Sequence, residues 1–328
     1  MVDRYGRIHT DLRLSVLDRC NLRCSYCMPA EGLEWLSRSA VLTDDEIHRL
    51  VRIAVSRLGV RSIRVTGGEP LIRRGLPGLV HRISALSPAP EISLTTNGIG
   101  LARLAGPLRA AGLERVNVSL DTLRRERFRE ITRRDHLHRV LRGLTAARDA
   151  GLRPVKINTV LVRGVNDDEI LDLVSYAVDG GYQLRFIESM PLDAQGAWDR
   201  ERMITADEIL AVLGSRMTLR PLPRAEGDTA PAEEWRIAGT DAVVGVIASV
   251  TRPFCGSCNR LRLTADGQLR TCLFATEESD LRGLLRKGAE DEEIAAAWRR
   301  AVAGKGRGHD IGAAGFRQPD RPMSAIGG

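Results

Sequence analysis

The 328-residue sequence predicts an α/β protein: an incomplete six-stranded parallel (β/α)6 barrel followed by a smaller α+β extension. Two observations lead there. Short apolar segments of strand type alternate with helical patterns as far as about residue 190, the order expected of a parallel sheet with right-handed crossovers. One face of five of these segments is polar, whereas a sheet covered on both sides reads apolar throughout and a closed eight-stranded barrel fills its lumen with branched aliphatic side chains.

The strand segments are 12–17, 63–66, 92–96, 116–120, 155–161 and 184–187. Thr43 opens the first helix, and Glu46 three residues later completes a capping box. Further helical patterns run over 76–86, 101–111, 137–150 and 167–178. Residues two apart on a strand share a face. Arg13 thus pairs with Ser15, Arg64 with Thr66, Ser93 with Thr95 and Asn97, Asn117 with Ser119 and Asp121, and Lys156 with Asn158. A single strand of this kind reads as an exposed edge. Five with the same parity describe a concave, wet and basic face suited to a polar ligand.

After Met190 the pattern changes. Residues 198–202 are polar, Thr205 starts a short helix, and 221–231 read as a loop. A second unit is expected from residue 215, with β-like segments at 235–237 and 243–250 and helical stretches near Leu281 and Glu292. The Gly-rich tail is expected to be irregular until something orders it. The expected organisation is therefore 1–214, 215–303 and 304–328.

At 43% hydrophobic residues the chain can bury a full core. Residues 1–10 hold no apolar stretch of the signal-peptide kind, and no run approaches a membrane span, so a cytoplasmic protein without membrane association is expected. A net charge of +7 favours anionic partners. With 4% aromatic residues and no block of like charges, a small polyanion fits better than nucleic acid. No G-x4-G-K-[ST] loop is present, and nothing in the sequence arranges carboxylates and Mg²⁺ for phosphoryl transfer.

The six cysteines form two trios. Disulfides are rare in a reducing compartment, which leaves metal or redox chemistry. Cys20, Cys24 and Cys27 have C-x3-C-x2-C spacing directly after a strand. A structural zinc site closes with four ligands, and His9 and His48 are badly spaced to supply the fourth. Three thiolates on one loop suit a 4Fe-4S cube with one iron open to a further ligand. The second trio, Cys255, Cys258 and Cys272, reads either as a zinc ribbon lacking one ligand or as another open cluster. Arg260 and Arg262, beside Cys258, share a face of any extended segment and suit bidentate contacts to phosphate or carboxylate.

The first trio, with Tyr26 at its aromatic position and Gly67-Gly68-Glu69-Pro70 ending the second strand, resembles the radical S-adenosylmethionine (SAM) superfamily. The stretches DLRLSVLDRCNLRCSYCMP, IRVTGGEPLIRR, LTTNG, VNVSLDTL, VKINTVLVRGVND, RFIESMP, FCGSCNRLRLTADGQLRTCLF and the ending MSAIGG narrow the resemblance, in order along the whole chain, to the GTP 3′,8-cyclase family of molybdenum cofactor biosynthesis. That resemblance implies a radical SAM partial barrel over 1–214 and an extension carrying a second iron-sulfur cluster.

By the same resemblance, Cys20, Cys24 and Cys27 hold a first 4Fe-4S cluster, and Cys255, Cys258 and Cys272 a second whose open iron meets the guanine. Tyr26, Gly68, Ser119 and Met190 line the SAM site. Arg13, Arg64, Thr95, Lys156, Arg260, Leu261 and Arg262 contact GTP, and Arg13, Arg260, Arg262, Gly327 and Gly328 take part in catalysis. A deoxyadenosyl radical from SAM removes H3′ of GTP, and C3′ then joins C8 to give (8S)-3′,8-cyclo-7,8-dihydroguanosine 5′-triphosphate. The implied partners are an electron donor of unknown identity and, for product handover, cyclic pyranopterin monophosphate synthase; the chain is expected as a monomer or homodimer. Two other readings stay open: a different radical SAM enzyme with an auxiliary cluster, such as a peptide-modifying one, and a zinc-stabilised RNA-binding protein.

Overall fold

The computed structural model describes every residue except Glu226 and Gly328. Its strands are β1 (Asp11–Ser15), β2 (Ser62–Thr66), β3 (Glu91–Thr96), β4 (Arg115–Ser119), β5 (Val155–Leu161), β6 (Gln183–Glu188), β7 (Leu219–Pro221), β8 (Glu233–Ile237), β9 (Val243–Ile247), β10 (Arg260–Leu263), β11 (Gln268–Arg270) and β12 (Ser279–Asp280). The helices are α1 (Asp44–Ser56), α2 (Leu76–Ser84), α3 (Leu101–Ala110), α4 (Arg125–Thr132), α5 (Leu137–Asp149), α6 (Ile170–Gly180), α7 (Ala206–Gly214), α8 (Leu281–Arg286), α9 (Asp291–Ala303) and α10 (Met323–Ile326). Among the described residues, no helix is long and apolar enough to cross a membrane.

Strands β1 to β6 pair in chain order, each parallel to the next. The C-terminal segment continues this sheet: β10 adds in parallel beside β1, and β9 in parallel beside β6. Eight neighbouring strands therefore run one way, between antiparallel margins formed by β11 and β12 on one side and β8 and β7 on the other. Without β9 and β10 both edges of the six-stranded array would expose an unpaired row of N–H and C=O groups. Residues so far apart in the chain carry no local sign of this continuity.

The two faces separate as the alternation requires. Leu12, Leu14, Ile63, Val65, Ile92, Leu94, Val116, Val118, Ile157, Leu184 and Phe186 point into the apolar core under the helices. The polar alternates fall into rows across the strands: Arg262 beside Arg13 beside Arg64, Thr95 beside Asn117 beside Lys156, and Ser119 beside Asn158 beside Arg185.

Thr43 and Glu46 form the expected capping box on α1, whose buried stripe includes Ile47, Leu50, Val51 and Ala54. The second capping box, Thr205 with Glu208, starts α7. Helix α4 escapes periodicity because only Phe128, Ile131 and Thr132 of its eight residues are buried.

One carboxylate ties the end of β6 to the second half of the chain. Glu188 is fully buried and accepts from the Ala206 N–H at 2.9 Å, the Val250 N–H at 2.8 Å and the Thr251 N–H at 2.9 Å. It thereby holds the start of α7 and the loop that leads to Cys255 against the end of β6. In Glu188→Gln an NH2 group, which cannot accept, replaces one oxygen. Leaving buried donors unpaired costs roughly 1 to 3 kcal/mol, so the urea midpoint of the full chain should fall accordingly. An unchanged midpoint would show that the carboxylate is dispensable.

Candidate active site

The loops that leave the C-terminal ends of the parallel strands meet on one side of the sheet, where open α/β sheets bind their ligands. The first cysteine loop follows β1 and closes against the turn after β2. There the Gly68 N–H donates to the Leu17 carbonyl at 2.7 Å and the Glu69 N–H to the Arg19 carbonyl at 2.8 Å. A Cβ on Gly68 would lie 2.3 Å from the Asp18 carbonyl oxygen and 2.4 Å from that of Arg19, so only glycine permits this approach. Glu69 is buried beneath the turn and accepts from the Leu71 N–H (2.9 Å), the Asn97 N–H (2.7 Å) and the Thr96 hydroxyl (2.6 Å). Burial pushes its carboxyl up to about 7 despite these donors.

Cys20, Cys24 and Cys27 line a cavity of about 150 Å³ with Tyr26, Gly68, Ser119 and Asp121. Burial drives the Cys20 thiol up to about 11 and that of Cys27 up to about 12, and holds Cys24 well above its ordinary range, with neighbouring thiols adding to the effect on Cys24 and Cys27. Metal binding would reverse this by ionising the thiols outright. Among the described residues, no three Cys, His, Asp or Glu side chains converge as around a single ion, the arrangement a closed zinc site needs. Three thiols lining one cavity suit an iron-sulfur cube.

Tyr26 donates from its hydroxyl to Asp121 at 2.6 Å, and the other Asp121 oxygen accepts from the Val160 N–H at 2.9 Å. Burial raises the Asp121 carboxyl to about 6. Tyr26 and Asp121 border two further cavities. One, of about 170 Å³, is lined by Met190, Val162, Asn166 and Trp198. The other, of about 270 Å³, contains Arg13, Arg64, Thr95, Arg260, Arg262 and the whole second trio, Cys255, Cys258 and Cys272. Ser119 and Met323 belong to both this basic cavity and the one at the first trio, so the two adjoin.

The basic cavity is short of negative charge. Arg13 is paired with Asp11 at 3.1 Å and Arg185 with Glu234 at 3.1 Å. Among the described residues the Nε atoms of Arg64, Arg185 and Arg260 nevertheless have no hydrogen-bond partner, nor has Asn158 Oδ1, and all four atoms are buried. Burial, with Arg13 and Arg260 alongside, pushes Arg262 down to about 9. Burial and then Arg185 bring Lys156 down to about 8. For Cys258, burial alone would raise the thiol, but the charges of Arg260 and Lys305 with further hydrogen bonds bring it down to about 7. Arg260 also lies over the Phe254 ring, 4.4 Å from its centroid.

The expected site residues are thus largely brought together. Lys156 shares the polar face but stands outside the residues that line the basic cavity. Alternation turns the Leu261 side chain away from Arg260 and Arg262 into the core, where it is fully buried, which leaves its backbone between the two arginines. Asn158 and Asp121, read from the sequence only as members of the polar face, line the cavities, as do Arg185 and His309, which carry no role in the sequence reading. The parity argument applied to β6 would have found Arg185. His309 had no such signal, because it lies in the irregular tail.

The tail is seated rather than frayed. Arg321 makes a two-point contact with Asp266 at 3.0 and 2.8 Å, Ser15 donates to the Ile326 carbonyl at 3.1 Å, and Arg262 donates to the Gly327 carbonyl. Gly327 has φ of +88°, and a Cβ there would meet Ser15 Oγ at 2.0 Å. Gly328 lies outside the described residues.

Comparison with known proteins gives the following. A family model described as the Radical SAM superfamily matches residues 14–177, and one described as Molybdenum Cofactor Synthesis C matches 182–311. The chain is 61% identical to "GTP 3',8-cyclase" of Streptomyces coelicolor, covering 100% of this chain and 96% of that protein. It is 56% identical to "GTP 3',8-cyclase 2" of Mycobacterium tuberculosis, covering 100% and 92%. Among solved structures, Streptococcus suis SuiB superimposes with a TM-score of 0.58 at 13% identity, over 88% of this chain and 68% of that one; this likeness is one of fold.

Gly327→Ala tests the seating of the tail. The added methyl cannot coexist with Ser15 and positive φ, so the amides of 323–327 should exchange with deuterium markedly faster while those of β1 to β6 keep their protection. Unchanged exchange in the tail would refute the seating.

Proposed function

The chain belongs to the GTP 3′,8-cyclase family of radical SAM enzymes, which acts in molybdenum cofactor biosynthesis, and on that premise we propose how its residues divide the work. The family works with SAM and two 4Fe-4S clusters. Cys20, Cys24 and Cys27 hold the first cluster at the mouth of the partial barrel, and Cys255, Cys258 and Cys272 hold the second in the C-terminal extension. When bound, this cofactor set supplies the radical chemistry that takes H3′ from GTP so that C3′ joins C8.

The protein's own task is orientation. Gly68, Ser119 and Met190 line the SAM site, and Tyr26, fixed by Asp121, closes its wall. Arg13, Arg64, Lys156, Arg260 and Arg262 bind the triphosphate, with Thr95 beside them. The observation that carries this reading is the set of buried guanidinium Nε atoms without partners in the basic cavity, which a polyanion would satisfy. Base and phosphates would then be anchored at opposite ends, leaving the ribose facing the first trio. Gly327 caps Arg262 from one side and turns its remaining donors toward the substrate; the catalytic part expected of Gly328 lies outside the described residues. The division into 1–214, 215–303 and 304–328 follows these roles. An external reductant, handover to cyclic pyranopterin monophosphate synthase, a cytoplasmic setting and a monomer or homodimer complete the proposal.

Two substitutions separate the clusters. Cys24→Ala should lose SAM cleavage altogether. Cys258→Ala should retain SAM cleavage and fail to cyclise GTP; normal cyclisation by this variant would remove the second trio from the substrate site.

Affinity for GTP should depend on pH through Lys156. Its ammonium, with a value lowered to about 8, is charged below that pH and neutral above it. Binding of the triphosphate should therefore weaken as pH rises from 7 to 9, by roughly tenfold for loss of one charge-assisted contact. Lys156→Met should flatten that portion of the titration, and an unaltered slope would exclude the ammonium from the phosphate site.

A further inference from the structure

A cluster of buried ionisable groups lies behind the second cysteine loop, outside every cavity described above. The side chains of Asp3 and His9 are fully buried, and Lys305 is 3% exposed. Asp3 organises the group. Its carboxylate accepts from Arg7 Nε at 2.6 Å and from His9 Nε2 at 3.0 Å, and from the Tyr5 and Arg7 N–H groups at 2.9 and 3.1 Å.

Two branches leave Asp3 and end on the second trio. Through Arg7, one guanidinium donates to the carbonyls of Cys255 at 2.8 Å, Arg307 at 2.9 Å and Gly306 at 2.6 Å. Through His9, the ring Nδ1 lies 3.5 Å from Lys305 Nζ, which donates to the Arg260 carbonyl at 2.8 Å and points at Cys258 Sγ from 3.8 Å. The chain's first residues, the segment after α9 and the cysteine loop are thereby locked together.

Packing alone does not explain a lysine here. Burying an ammonium is costly unless it is paired, and among the described residues Lys305 has no carboxylate partner of its own. Its nearest acceptors are a carbonyl, an imidazole and a cysteine sulfur. A thiolate ligand would supply the missing negative charge. Hydrogen bonds to ligand sulfurs and nearby charge are the means by which a protein sets the potential of an iron-sulfur cluster.

We infer that Lys305, held by Asp3 and His9, is a positioning residue that donates to the Cys258 sulfur and raises the reduction potential of the second cluster. This rests on the assignment of that cluster to Cys255, Cys258 and Cys272. Reduction adds negative charge that the sulfurs share, so a donor aimed at one sulfur stabilises the reduced form.

The test uses full-length protein reconstituted anaerobically with iron and sulfide, titrated electrochemically and read by electron paramagnetic resonance. GTP perturbs and so marks the second signal, SAM the first. Lys305→Met should shift the midpoint of the second cluster to more negative potential and leave the first unmoved, while Lys305→Arg, which keeps a donor, should restore most of the shift. A Lys305→Met protein that loads no second cluster, beside a Lys305→Arg protein that does, would equally support the donor role. An unmoved second midpoint in Lys305→Met would overturn it, as would failure of both variants to load the cluster, which would leave Lys305 a packing role. Unsubstituted protein that loads only one cluster would overturn the inference together with the assignment on which it rests.

Discussion

Like charges brought into register across a parallel sheet are the constraint on which the rest of this structure depends. Arg262, Arg13 and Arg64 stand side by side on three adjacent strands. The cavity they face also contains Arg185 and Arg260, with Asp121 as its one carboxylate among the described residues. Guanidinium groups this close repel, and in a shielded cavity the repulsion is screened less than it would be in water. The lowered positions of Arg262 and Lys156 follow first from burial and only then from the neighbouring guanidinium groups. A polyanion placed on this face would offset that repulsion.

Such a face persists because the opposite one is apolar. Leu12, Leu14, Ile63, Val65, Ile92 and Leu94 are wholly buried beneath the helices, and each buried side chain of this kind stabilises the fold by about 1.5 to 3 kcal/mol. The asymmetry explains why the strands alternate although they run parallel. Two buried carboxylates then handle the backbone where strands give way to loops: Glu69 gathers the turns after β2 and β3, and Glu188 gathers α7 and the approach to the second cysteine loop. Neither need touch substrate to determine where the reacting groups stand.

Closure comes from the ends of the chain. Arg7 reaches the Cys255 loop, Lys305 the strand that carries Arg260, and Gly327 the guanidinium of Arg262. The second trio is therefore held by segments about as distant in sequence as the chain allows; the first-trio loop is held by the turns of neighbouring strands and by the end of α4, where the Thr132 and Ile131 carbonyls accept from the Arg23 and Ser25 N–H groups, and its cavity is also lined by Met323 and Ser324 of the tail.

The sequence by itself determined everything that repeats locally or sits within one short motif. Period-two alternation marked Arg13, Arg64, Thr95, Asn117 and Lys156 as one face, spacing marked both cysteine trios, and the resemblance carried the family. What only the tertiary structure decided depends on contacts between distant residues. The pairing of β9 with β6 and of β10 with β1 made the C-terminal segment part of the same sheet. His309 and Lys305 acquired their places from a tail and a helix end with no periodicity to read. A lone histidine or lysine in a sequence looks like surface; its burial is set by which distant strands and loops happen to close over it, a property of the assembled fold and not of any local pattern.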